Sequence, residues 1–205
     1  MTQAKLIADQ IKTLILNGSF HPGQPLRQEA LSEQLNVSRT PLRHALQSLA
    51  EEGLVETTGY KGAKVAKVDQ GMVEDLFDMR LLLEPLALKS AFPHLTKLDF
   101  AKAEIALDKA EAEQKPSDLS ELNWEFHSAL YRPSNRQTLL KTIEQLNRAS
   151  ALAEVIASSI IIRPEKSATE HRALLQACRD SDQSTALSIL GEHLRLAYND
   201  IRNRE

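Results

Sequence analysis

The strongest constraint on the fold is a helical pattern that runs from residue 69 to the C-terminus. Apolar residues recur there every three or four positions, as they do on one face of an amphipathic helix. Prolines at 93, 116, 133 and 164 and a polar turn at 180–182 divide the pattern into segments. We therefore expect an all-helical bundle, with helices at about 69–91, 96–114, 117–132, 136–159, 165–180 and 183–203.

The first 68 residues have a different organisation. Their pattern predicts helices at 4–16, 28–35 and 38–52, followed by a β-hairpin built from LVETT and AKVAKV. Asn36-Val37 makes the turn between the second and third helices, and Ser38 stands at the N-cap position of the third. The sequence therefore predicts a mainly α protein, with a winged helix-turn-helix domain at 1–68 and an all-helical domain at 69–205.

Charge is distributed unevenly along the 205 residues. The formal net charge is -3, which argues against a uniformly basic nucleic-acid binder. Residues 1–68 nevertheless carry 8 Lys and Arg against 6 Asp and Glu, which is compatible with a local basic face on that half.

The remaining composition points to a cytoplasmic protein. The N-terminus has no cationic start, apolar run and cleavage site of the kind that marks a signal peptide. No apolar run approaches the ~20 residues that a membrane helix needs. Cys178 is the single cysteine, so no disulfide can form within the chain, which suits a reducing compartment. We expect no membrane partner.

The start of the third helix has the chemistry to read DNA. In a helix-turn-helix, the second helix of the motif lies in the major groove and offers its first side chains to base edges. Arg39 and Arg43 lie four residues apart on one face, and a guanidinium can bind O6 and N7 of guanine together. Ser38, Thr40 and the helix N-terminus can hold a phosphate. The alternative is a helical hairpin with two solvated surface arginines.

The segment LRQEALSEQLNVSRTPLRHALQSLAEEGLVE resembles the winged helix-turn-helix domain of GntR-type transcriptional regulators. The helical remainder resembles the FCD effector domain that a large subfamily carries. The resemblance implies that Arg39, Thr40 and Arg43 contact DNA, and that Lys61 and Gly62 form the tip of the wing.

Arg27, Gln28 and Glu29, at the start of the second helix, depart from the usual family pattern, which has Glu or Ser-Glu-Arg there. Arg27 is placed to contact a phosphate of the DNA backbone. Glu29 stands where some branches of the family have a basic residue. Direct recognition is therefore expected to depend mainly on the third helix.

Three of the six histidines lie on apolar helix faces in the second half. His127 lies one helical turn after Asn123, His171 shares a face with Leu174, and His193 shares one with Leu196. If these faces converge in a bundle core, three imidazoles can hold Zn, Ni, Cu or Fe. The alternative is that each histidine is a hydrogen-bonded core residue.

The resemblance favours a metal. A metal-binding branch of FCD domains has the pattern D-x-x-F-H, then E-H, then H-L, and this chain reads NWEFH, EH and HL at the matching positions. The resemblance thus implies a divalent transition metal, Zn or Ni, held by Asn123, His127, His171 and His193. Asn123 replaces the usual Asp and removes one negative charge from the ligand set.

Arg80 lies on the same helix face as Leu76 and Phe77, where a guanidinium without a partner is costly. One interpretation is that Arg80 binds the carboxylate of a small effector with two hydrogen bonds. The other is a plain ion pair with Glu84, four residues along the helix.

Together these features predict a ligand-responsive transcriptional regulator, a repressor that binds a palindromic operator as a homodimer. The alternatives are a metal-independent sensor with histidines lining its pocket, and a metal-dependent hydrolase. Glu125 lies two residues before His127 and Glu170 directly precedes His171, so each is expected to point off the face of its histidine. The hydrolase would then lack a general base, so we do not expect an enzyme.

Overall fold

The computed structural model describes residues 2–16, 18–57, 62–67, 69–113, 116–157 and 164–202. These residues form two compact units, one built mainly from the first 69 residues and one from residue 70 onward. The predicted fold class is confirmed: the chain is mainly helical, with one small antiparallel sheet in the first unit.

Within its described residues, the first unit contains three helices and three short strands, together with residues 152–157 of a helix that comes later in the chain. In chain order these are α1 Gln3–Leu16, β1 Pro25–Leu26, α2 Gln28–Gln34, α3 Arg39–Glu51, β2 Val55–Thr57 and β3 Ala63–Val65. Leucines of α3 and isoleucines of α1 are buried together, so α3 packs against α1 through its apolar face. Asn36 makes the turn before α3 with a positive φ of 51°, and Gly53 ends that helix with a φ of 80°.

The sheet has one strand more than the predicted hairpin. Its order is β1-β3-β2, and β1 pairs with β3 through Pro25 opposite Lys64 and Leu26 opposite Ala63. Strand β1 occupies an edge, where a proline without an N–H is tolerated. The segment HPGQP predicts a loop, because prolines and glycine are typical of turns. A strand of only two residues that begins at Pro25 leaves no alternating pattern by which the sequence could show it.

The second unit is helical in its described residues, and the predicted helix ends lie within two residues of those observed, except that the predicted ends at 114, 159 and 203 lie outside the described residues. The helices are α4 Gln70–Ala91, α5 Lys97–Ala112, α6 Pro116–Tyr131, α7 Gln137–Ala157, α8 Pro164–Arg179 and α9 Gln183–Arg202, with 3₁₀ turns at Phe92–His94 and Arg132–Ser134. Thr96 begins α5 with a capping box, in which its hydroxyl accepts from the Asp99 amide and the Asp99 carboxylate accepts from the Thr96 amide.

The core of this unit is apolar, but it encloses a set of buried polar side chains. These are Arg80, Glu84, His127, Ser128, Asn147, Ser150, His171 and His193. Burial of polar groups is favourable only when they have partners, and every fully buried side-chain nitrogen or oxygen in the described part of the chain has one. No described helix is both long and apolar enough to span a lipid bilayer.

Candidate metal centre and candidate DNA-reading helix

Three helices of the second unit each direct one histidine to a common point. His127 comes from α6, His171 from α8 and His193 from α9, and all three are buried. Nε2 of His171 lies 3.1 Å from Nε2 of His127 and 3.3 Å from Nε2 of His193. One nitrogen from each ring lies within 4.8 Å of the other two. The predicted convergence of these three faces is therefore observed.

The spacing of the three nitrogens suits ligands of one metal ion. Nitrogens bound to one Zn²⁺ at about 2.1 Å, with angles between roughly 90° and 110°, stand about 3.0–3.4 Å apart. The two measured separations fall in that interval. Imidazole nitrogen is a preferred ligand of Zn and Ni, so the chemistry of the donor set also fits.

Each histidine has a second contact at its other ring nitrogen. Nδ1 of His127 lies 3.1 Å from the Tyr131 hydroxyl, and Nδ1 of His193 lies 2.7 Å from Oε2 of Glu170. Nδ1 of His171 lies 3.5 Å from the hydroxyl of Ser167, which makes this contact the weakest of the three. Such outer contacts set ring orientation and basicity in metal sites.

Burial also favours the neutral rings that metals bind. Desolvation holds the pKa of His127 well below its ordinary value, and the neighbouring His171 and His193 lower it further. The pKa of His171 is likewise lowered, first by burial and then by His193. These two imidazoles are therefore deprotonated at neutral pH, with lone pairs available to a cation.

Glu170 directly precedes His171 in sequence, and its carboxylate contacts His193 on the neighbouring helix. The expectation that no carboxylate would stand beside the histidines was therefore wrong. Leu196 is exposed, because the buried face of α9 passes through Leu190, His193 and Leu194 instead. Both errors arise because the partner of a residue on one helix is decided by how the next helix packs against it.

A polar chain that the sequence analysis missed connects Arg80 to the histidines. Nε of Arg80 donates to Oε1 of Glu84 at 2.6 Å, and the Tyr131 hydroxyl donates to Oε2 of Glu84 at 2.8 Å. Tyr131 then reaches His127, four residues before it on α6. Burial and the Glu84 carboxylate raise the pKa of Tyr131 well above its ordinary value, so the phenol keeps its proton. The i,i+4 spacing of His127 and Tyr131 was the available signal.

Arg80 therefore has a structural partner whatever else it binds. The ion pair with Glu84 is present, and its side chains are almost completely buried. The Arg80 guanidinium also lies over the Phe77 ring, at 5.0 Å from the centroid. Asn123 is half-buried on α6, one turn before His127. Because residues four apart share a helix face, Asn123 and His127 lie on the same side of α6.

In the first unit, the start of α3 presents the residues that were predicted to read DNA. Ser38 occupies the N-cap position, although within the described residues its hydroxyl makes no capping hydrogen bond. Arg39, Thr40 and Arg43 are all exposed at the first turns of α3. Exposed cations above an inward-packed apolar face are the arrangement that a recognition helix requires.

The other predicted DNA contacts lie outside α3. Arg27 is exposed at the N-cap of α2. Glu29, on the same helix, accepts an ion-pair hydrogen bond from Nη2 of Arg39. Gly62 has a φ of 148°, a conformation that favours glycine, whereas Lys61 lies outside the described residues.

Comparison with known protein families assigns both units. The family described as "Bacterial regulatory proteins, gntR family" matches residues 3–65, and the FCD domain family matches residues 75–196. The Nta operon transcriptional regulator of Aminobacter aminovorans is 33% identical over 139 residues, which is 67% of this chain and 66% of that protein. The Glc operon transcriptional activator of Escherichia coli K12 is 30% identical over 164 residues, 69% of this chain and 65% of that protein.

A solved structure supports the fold along the whole chain. The structure of E. coli McbR/YncC superposes with a TM-score of 0.68 and 23% identity, and the match covers 99% of this chain and 98% of that one. At this identity the likeness concerns the arrangement of helices and strands and not the ligands that are bound.

Proposed function

The chain belongs to the GntR family of bacterial transcriptional regulators and carries an FCD domain, and we propose that it is a metal-containing, effector-responsive repressor. The observation that carries this proposal is the meeting of three Nε2 atoms from three different helices. Metal and effector would bind in the helical unit, and DNA would bind at the start of α3. Because its target is bacterial DNA, we place the regulator in the cytoplasm.

The metal would be Zn or Ni, held by His127, His171 and His193, with Asn123 as a further oxygen ligand. Three imidazoles and an amide are all neutral, so they leave the charge of the ion uncompensated. A bound metal with open positions supplies a Lewis acid that attracts carboxylates. The effector we propose is therefore a small carboxylate.

Arg80 would contribute to the same effector site. Its guanidinium is joined to the histidine cluster through Glu84 and Tyr131. A carboxylate effector would compete with Glu84 for this guanidinium, since each is an anion that forms charge-assisted hydrogen bonds with arginine. Effector binding would thus alter the buried polar chain.

At the DNA, Arg39, Thr40 and Arg43 would contact bases and phosphates in the major groove. Ser38 and Arg27 would contact the DNA backbone. Lys61 and Gly62 would form the tip of the wing. Arg39 is held in the free protein by Glu29. Base contacts of this kind supply specificity, whereas phosphate contacts supply affinity that depends on salt.

Homodimerisation would use an apolar stripe on α4, which we define as Met72, Met79, Leu82 and Leu86. All four are exposed, and Leu82 is 73% exposed. Three of them are spaced seven residues apart, as in helices that pair along their length. If two copies pair antiparallel about Leu82, Asp75 of one faces Lys89 of the partner subunit, which adds opposite charges at both ends. A two-fold dimer of this kind would read a palindromic operator.

The test combines metal analysis with DNA selection. Untagged wild-type protein and a His127→Ala/His171→Ala variant are analysed for metals by mass spectrometry, and duplexes bound by the wild type are selected from a randomised pool. We expect a stoichiometric metal in the wild type alone and a palindrome among the selected sequences. Folded wild-type protein that binds DNA but contains no metal would favour the metal-independent sensor.

Repression is tested separately with the selected palindrome inserted upstream of a reporter gene. We expect the protein to lower expression, and small carboxylates to relieve this effect by binding one arrangement of the DNA-reading units better than the other. Expression that rises with the protein would identify an activator.

A further inference from the structure

Hydrogen-bond donors and acceptors around the histidine cluster determine which ring nitrogen carries each proton. Glu84 is the ion-pair partner of Arg80, so its carboxylate only accepts hydrogen bonds. Tyr131 has one proton and donates it to Oε2 of Glu84. The Tyr131 oxygen must therefore accept from Nδ1 of His127, which places the proton of that ring on Nδ1 and leaves a lone pair on Nε2.

The same reasoning applies to His193. Oε2 of Glu170 is a carboxylate oxygen at 2.7 Å from Nδ1 of His193, so it accepts a hydrogen bond from an N–H at that nitrogen. As a neutral ring, the form that binds metals, His193 thus also directs an Nε2 lone pair into the cluster. Two lone pairs, from His127 and His193, now face Nε2 of His171 at 3.1 and 3.3 Å.

His171 is the remaining ring, and its surroundings are different. A third lone pair at Nε2 would be repelled by the other two, whereas an Nε2 proton can be shared between them. Its Nδ1 then accepts from the Ser167 hydroxyl at 3.5 Å. In this arrangement each ring nitrogen of the three histidines has a partner of the complementary kind.

We propose that His171 is the tautomeric switch of the cluster: it alone must move its proton from Nε2 to Nδ1 when a metal takes the three Nε2 lone pairs. Tyr131 and Glu170 are positioning residues that hold His127 and His193 in the binding tautomer in advance. Ser167 is the positioning residue of the switch, because a hydroxyl can donate to Nδ1 in one state and accept from it in the other. One proton leaves Nε2 and one joins Nδ1, so the rings release no net proton.

The inference rests on the proposed metal site, and its test separates the two. Protein labelled with ¹⁵N in histidine is studied by two-bond ¹H–¹⁵N correlation NMR, metal-free and with one equivalent of Zn²⁺, and single His→Asn variants assign the signals. In metal-free protein we expect Nδ1–H tautomers for His127 and His193 and Nε2–H for His171. With Zn²⁺ we expect Nδ1–H for all three.

A metal-free His171 that already carries its proton on Nδ1 would overturn the proposal, and so would a change of tautomer at His127 or His193. If Zn²⁺ does not bind, the proposed metal site fails, and with it the switch on metal binding. In that case the metal-free tautomers still report whether Tyr131 and Glu170 position their rings.

Two variants test the positioning residues. Ser167→Ala is expected to leave the metal-free tautomers unchanged and to weaken Zn²⁺ affinity about tenfold, because the Nδ1–H formed on binding loses its acceptor. Tyr131→Phe is expected to mix the tautomers of His127 before any metal is added. The matched controls are Ser188→Ala, at an exposed position of α9, and Tyr198→Phe, whose ring packs on Phe77. Equal effects of a variant and its control would contradict the assignment.

Discussion

Oε2 of Glu170 lies 2.7 Å from Nδ1 of His193, so a carboxylate of α8 orients a histidine of α9. Carboxylate–histidine pairs of this kind raise the basicity of a ligand and fix its ring. Glu170 thereby brings a negative charge next to a proposed ligand set that is otherwise neutral. A residue expected to point away from the cluster is thus part of its outer shell.

Replacement of Glu170 should therefore weaken metal binding, by an amount that depends on which side chain replaces it. Glu170→Gln keeps an oxygen acceptor without the charge and should lower Zn²⁺ affinity about tenfold, while Glu170→Ala removes both and should lower it about a hundredfold. Competition with a chromophoric chelator measures the affinity. The control is Glu192→Gln on α9, whose exposed carboxylate faces Arg195. Unchanged affinity in Glu170→Ala would show that this pair does not influence the metal.

The ion pair between Arg39 and Glu29 predicts opposite effects on DNA binding. Arg39→Ala should lower operator affinity roughly tenfold or more, because a base or phosphate contact is lost. Glu29→Gln should raise affinity a few-fold, because Arg39 is released and a negative charge is removed from the interface. Fluorescence anisotropy at two salt concentrations measures both. Glu33→Gln, an exposed carboxylate on the same helix, is the control, and an equal rise there would indicate a general charge effect.

The buried Arg80–Glu84 pair predicts strong coupling in stability. Arg80→Met should lower the free energy of unfolding by about 3 kcal/mol or more, because it leaves a carboxylate buried without its cation. The double variant Arg80→Met/Glu84→Gln should recover part of this loss. Urea unfolding of the wild type, both single variants and the double variant forms a complete cycle. Additive losses would mean that the two side chains act independently.

The apolar stripe on α4 predicts a single substitution that separates the subunits. Leu82→Arg should convert the dimer into a monomer, because two arginines would meet at the centre of the proposed interface. Light scattering after gel filtration measures the mass. Leu98→Arg, on α5, is the control because Leu98 is similarly exposed but lies outside the stripe. A dimer that survives Leu82→Arg would place the interface elsewhere.

Cys178 should be nearly inert in the folded protein. Burial raises the pKa of its thiol to about 12, and only 2% of the residue is exposed. At pH 8 the thiolate fraction falls roughly a thousandfold relative to an ordinary cysteine, so the reaction with an aromatic disulfide reagent should slow by at least that factor. The same protein in guanidinium chloride is the control. Since this is the single cysteine, a fast reaction under native conditions would show that α8 opens locally.

The helices were predictable because the apolar residues of each one recur every three or four positions along the chain. Apolar periodicity and prolines located helices α4 to α9, and Ser38 marked the start of α3. The inward faces of His127 and His171 followed from the same periodicity, because a residue four positions from a core residue shares its face. These features need no knowledge of how the helices pack.

Tertiary structure alone decided which faces meet. The sequence placed three histidines on three buried faces, but the distances between their Nε2 atoms depend on the packing of α6, α8 and α9. The contact of Glu170 with His193 and the chain from Arg80 to Tyr131 also join different helices. Strand β1 forms by antiparallel pairing with β3, in which Leu26 lies opposite Ala63. Hydrogen bonds act over about 3 Å, so partners distant in sequence are decided when the helices and strands pack.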